Sequence, residues 1–125
     1  MYDLRPFAPL YGPNSGSGAG SLLSSLTITG SNSAAASGVL PGNTTGNSDL
    51  NQIQIANTTT SWAYVNFSRN TTEEVAATVA ASYPVAPGAV VVVTVNSEVA
   101  ATSVILGTAP GTNTAVIFTR GAGTH

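Results

Sequence analysis

Side chains able to act as acids, bases or nucleophiles are scarce in this chain, and their spacing suits no common site. A hydrolytic triad needs a base that titrates near neutral pH, usually histidine. The single histidine is His125, the last residue, and a chain end is a poor place for a group that must be held rigidly. No histidine cluster is present for zinc, and no cysteine supplies thiolates, disulfides or metal ligands. Carboxylates that share general acid and base work must face each other across a cleft. Glu73 and Glu74 are sequence neighbours, so on a strand they point to opposite faces and on a helix they diverge by about 100°. Asp3, Asp49 and Glu98 stand alone, without the alternating acids of a calcium loop. The "GSGAG" at residues 16–20 lacks the Lys-Ser/Thr of a phosphate loop, and the sequence has no lysine at all. Arg5, Arg69 and Arg120 are too few to track a nucleic-acid backbone. Each planar guanidinium instead suits a carboxylate or carbonyl at a subunit contact. These residues predict a protein that is not an enzyme and has no cofactor, no metal and no nucleic-acid partner.

The composition says what such a chain does instead. Its 125 residues suffice for one domain and a tail. Charged residues make up 6% of it, against about a quarter in an ordinary soluble domain. The surface must therefore be clothed in Ser, Thr, Asn and Gly, and a net charge of -2 gives a free monomer little colloidal repulsion. A surface of this kind predicts an obligate assembly in which much of it lies against other protein. No apolar run approaches membrane-spanning length and no signal-peptide pattern opens the chain, which predicts a soluble protein without a membrane partner. Asn-x-Ser/Thr triplets begin at Asn43, Asn57, Asn66 and Asn70; in a sequence so rich in Asn and Thr they arise readily by chance, and glycosylation is not expected.

Residues 1–21 are expected to form an extended N-terminal arm and linker. Pro6, Pro9 and Pro13 exclude a stable helix, and residues 14–21 have a flexible Gly/Ser composition. From residue 22 onward, short β-branched runs separated by turn residues predict an all-β domain over residues 22–125. In "LLSSLTITG", Leu22, Leu26 and Ile28 can share one face, and a short strand is expected near Val39. "NQIQIAN" alternates, with Ile53 and Ile55 inward and Gln52 and Gln54 outward. In "SWAYVNFS", Ala63, Val65 and Phe67 alternate against Trp62, Tyr64 and Asn66, and a hairpin at residues 57–60 is expected to join these two strands. "TTEEVAATVAAS" reads either as a two-turn helix capped by Thr72 or as an irregular strand over residues 75–79, the strand being preferred beside so much β-structure. Pro87-Gly88 has the residues of a type II turn. Residues 90–95 are so apolar that a central strand is expected, covered on both faces or on one by a neighbouring subunit. "ATSVILGTA" and "TAVIFTRG", joined at "PGTN", are expected to close the domain as a hairpin. Strands at roughly ten-residue spacing predict an antiparallel β-sandwich or jelly roll.

Two groups of residues remain as candidate contact sites. Burial of Val65 and Phe67 turns Trp62 and Tyr64 outward together, a pair compatible with packing in their own fold, with a subunit interface or with a sugar-stacking platform. In the arm, Tyr2, Leu4, Arg5, Phe7, Leu10 and Tyr11 would gain little in water, where ordering each residue costs about 1–2 kcal/mol. On a partner, burial at about 1.5–3 kcal/mol per large apolar side chain could offset that cost.

The order "QIQIAN", "SWAYVNFS", "VAASYPVAPGAVVVVTV", "ATSVILGT", "TAVIFTRGAG", over about residues 51–123, resembles a group of small virion proteins of tailed bacteriophages, the head decoration or cement proteins. The resemblance implies a β-sandwich module, often trimeric, made in the host cytoplasm and seated on the outside of the capsid. There it would fasten neighbouring major capsid subunits against internal pressure, with the major capsid protein and its own copies as partners. Where that group commonly has Gly after the aromatic strand, this chain has Ser68-Arg69, and the N-terminal region is poorly shared, so the mode of attachment does not carry over. The alternative reading is a carbohydrate- or receptor-binding module of a head fibre or tail component.

Overall fold

The computed structural model describes residues 8–9, 25–40, 51–69, 75–96 and 99–122. Among these residues nine strands run in the order β1 (Ala8–Pro9), β2 (Ser25–Thr29), β3 (Ala36–Val39), β4 (Gln52–Asn57), β5 (Ala63–Ser68), β6 (Tyr83–Val85), β7 (Val90–Thr94), β8 (Ala101–Leu106) and β9 (Ala115–Ala122). No helix occurs among the described residues. One sheet has the order β2-β9-β4-β7, with β1 also on β9, and the other has the order β3-β8-β5-β6, all pairs antiparallel. From β2 onward the chain changes sheet at every connection except β5 to β6. Eight strands ordered in this way form a jelly roll, two interleaved Greek keys.

Period-two alternation builds the core. On the first sheet Leu26, Ile28, Ile53, Ile55, Val91, Val93, Val116 and Phe118 face inward; on the second, Ala63, Val65, Phe67, Val85, Val104 and Leu106 do so. Phe67 meets Phe118 edge to face between the sheets, with centroids 6.4 Å apart and planes at 88°, a geometry favoured by the ring quadrupoles. Close approach of the sheets at β3 depends on Gly38, where a Cβ would fall 2.8 Å from a methyl of Leu26.

Several expectations are corrected. The links at residues 58–62 and 107–114 are not hairpins, because β4 and β9 belong to one sheet and β5 and β8 to the other. Alternation tells which face of a strand is buried, and it is silent about which sheet the strand joins. Residues 75–79 are not a strand. Both edges of β5 are taken by β6 and β8, so this segment lies across the outer face of their sheet and bonds to side chains, with the Ala77 amide on Ser103 Oγ at 3.0 Å and the Val75 amide on Ser68 Oγ at 3.2 Å. Strand β7 is an edge strand with alternating exposure, not a central one. Gln52 is buried, where an outward position predicted exposure.

The Pro87-Gly88 turn forms as expected, with φ of 72° at Gly88 and the Ala89 amide on the Ala86 carbonyl at 3.1 Å. In the arm, Ala8 and Pro9 pair with Ala122 and Gly121. They lie in line with β2, whose Ser25 pairs with Thr119.

Candidate interaction surface

The outer face of the β3-β8-β5-β6 sheet holds the aromatic pair. Trp62 and Tyr64 flank the buried Ala63 at the start of β5, and Trp62 is 48% exposed. Register places Tyr64 between Ile105 of β8 and Pro84 of β6, so the three side chains form one row across the sheet. The Tyr64 ring reaches over Gly107, whose position a Cβ would share with ring carbon Cε2 at 3.2 Å. The amide of Gly107 donates to the Trp62 carbonyl at 2.9 Å. Of the explanations weighed for the pair, packing within the fold describes the half-buried Tyr64, whereas Trp62 remains open to solvent.

Position along the row is set by a buried polar corner around Asn57. Its Nδ2 donates to the carbonyls of Ser61 at 2.9 Å and of Val85 and Ala86 at 3.1 Å. Its Oδ1 accepts from the Thr59 amide at 3.0 Å and the Thr59 hydroxyl at 2.7 Å. Ser61 Oγ continues the network to Thr108 Oγ1 at 2.7 Å. The corner lifts the chain across the roughly 10 Å between sheets and delivers it to Trp62 with its polar groups satisfied. It also binds the end of β6, and with it the Pro84 side of the row, to the start of β5.

Charge is scarce among the described residues. Among the described residues only Arg69 and Arg120 are ionic, and Arg120 is fully buried. Arg120 shares the inward face of β9 with Val116 and Phe118, and its Nη1 donates to the Val99 carbonyl. The carbonyl partner expected of an arginine is therefore found inside the chain's own core and not at a subunit contact. Desolvation lowers its pKa from the ordinary arginine value, and the guanidinium stays protonated at neutral pH. The alternation of "VIFTRG" carries the signal for its inward position. Among the described residues no group of three or more His, Cys, Asp or Glu lies together.

Asn57 is buried, and Asn66, half-buried, directs its amide at the Val75 carbonyl at 3.5 Å. The arm residues Tyr2, Leu4, Arg5, Phe7, Leu10 and Tyr11 lie outside the described residues, as do Glu73, Glu74 and His125. The structure has no helix long and apolar enough to cross a membrane among the described residues. No protein-family model, no curated protein and no solved structure matches this chain.

Proposed function

We propose that this protein is a structural component of a virion, a decoration or cement protein that binds the outside of a phage head as an oligomer, a trimer by the resemblance, and strengthens contacts between major capsid subunits. The observation that carries the reading is the row of Ile105, Tyr64 and Pro84, with the exposed Trp62 beside it, on a described surface whose one charged side chain is Arg69. Aromatic, charge-poor patches have the composition of interface cores, and Trp and Tyr are the residue types enriched where a few side chains dominate binding. Jelly rolls serve as capsid domains and as lectins alike, so the fold is compatible with this function without specifying it.

The test is cosedimentation with phage heads that lack the protein. The unaltered chain is expected to saturate the heads. Trp62→Ala with Tyr64→Ala is expected to weaken binding at least tenfold, about 1.4 kcal/mol, and deletion of residues 1–13 is expected to lower occupancy if the arm anchors. Unchanged occupancy in both variants would remove both contact surfaces from the account. One observation favours a second reading: the exposed Trp62 offers a ring face on which a sugar could stack. Glycan-array binding by the chain, lost in Trp62→Ala, would support the carbohydrate-binding alternative.

A further inference from the structure

We propose that the open edge of β7 pairs antiparallel with β7 of a second copy of this chain, joining two sheets into one continuous sheet. In the β4-β7 ladder the Asn57 amide donates to the Ala89 carbonyl at 3.0 Å and the Val95 amide to the Asn51 carbonyl at 2.7 Å. These bonds mark the odd-numbered residues of this stretch as the ones whose backbone faces β4. Antiparallel alternation then turns the backbone N–H and C=O of Val90 and Val92 to the other side, where no described strand lies. Val90 is 58% exposed and Val92 44%.

The occupant follows from self-complementarity. With Val90 opposite Val92 of the second copy, and Val92 opposite its Val90, the two residues on each chain exchange four N–H to C=O bonds about a two-fold axis. In this register the two-fold sets residue 91 opposite its own copy and residues 90 and 92 diagonal to theirs, so a charge at any of the three would oppose self-pairing. Strand β7 reads Val-Val-Val-Val-Thr and has none. Its flanking outward residues on β4 and β9, Gln54, Ala56, Ile117 and Thr119, are neutral as well.

The other edges differ. Strand β6 has three residues with Pro84 at its centre, β3 contains Gly38, and β2 turns Ser25, Thr27 and Thr29 outward. Proteins guard exposed edges with lysine, proline, bulges or short strands. Strand β7 contains neither lysine nor proline and is five residues long, so its sequence carries none of these guards.

Residue-resolved amide exchange on the full chain tests this directly. The amides of Val90 and Val92 are expected to slow on the order of tenfold or more as protein concentration rises, while those of Val91 and Val93 stay protected throughout. Val92→Pro removes a donor only from the open side, and Val92→Lys sets two like charges on the diagonal of the pairing, about 7–8 Å apart. Each is expected to halve the sedimenting mass of the assembly and to leave the circular dichroism of the sandwich unchanged. Val90 and Val92 amides that exchange freely in the oligomer, or are already protected at high dilution, would overturn the proposal. So would a chain that stays monomeric at every concentration, or a mass unaltered in Val92→Lys. Capsid binding is a separate matter: a chain that pairs through β7 but ignores phage heads would sustain this contact and refute the decoration function.

Discussion

Asn57 illustrates how a single polar side chain directs this fold. Its amide group satisfies three carbonyls and two donors in a space closed to water. Truncation leaves those groups buried without partners, each at about 1–3 kcal/mol. Asn57→Ala is therefore expected to destabilise the chain by about 3 kcal/mol or more, read as a fall in the urea midpoint at unchanged slope. Arg120 works in the same way at the other end of the core. Arg120→Met keeps most of the volume but removes the donor to the Val99 carbonyl, and a loss of about 1–3 kcal/mol is expected in the same experiment. Neither role follows from residue type alone. Asn57 stands in an Asn-x-Thr triplet among turn-forming residues, and nothing local distinguishes a loop asparagine from a buried one. Arg120 reads by type as a subunit contact, although its place in the alternation with Val116 and Phe118 points inward.

For the strands, the same periodicity was informative about faces and uninformative about neighbours. Ile53, Ile55, Ala63 and Val65 are buried as their spacing requires, yet the strands that hold them lie in different sheets. The valine run of β7 reads as doubly covered because apolar content records burial somewhere, in the chain or in an assembly, and not where. The turn that feeds it was legible in full: proline restricts one dihedral and glycine accepts the positive one. Gly88 has open space where a Cβ would stand, so Gly88→Ala isolates the conformational cost. An expected loss of about 1–2 kcal/mol, measured by thermal unfolding, would confirm that the turn closes the β4-β7 ladder by conformation and not by packing.

Over the whole molecule, stability depends on the contact between sheets. Phe118 is fully buried against Phe67 across the sandwich, and Phe118→Ala is expected to cost about 3–5 kcal/mol. That would be a large share of the stability of a domain this size. Calorimetry should show one transition shifted down as a unit, because both sheets contribute to the one core. Function belongs to this scale too. Under the proposed reading, an aromatic row on one sheet and the edge strand β7 on the other are the surfaces through which the module works.

What the sequence determined by itself was the strand content, the inward residues and the shortage of groups for catalysis, because alternation, turn chemistry and composition are local properties. Only the tertiary structure decided that β4 and β9 lie beside one another, that residues 75–79 lie over a sheet and not within it, and that Asn57 and Arg120 are buried. Those outcomes depend on which backbone edges remain open after the other strands have paired, and that competition is settled between segments far apart in the chain.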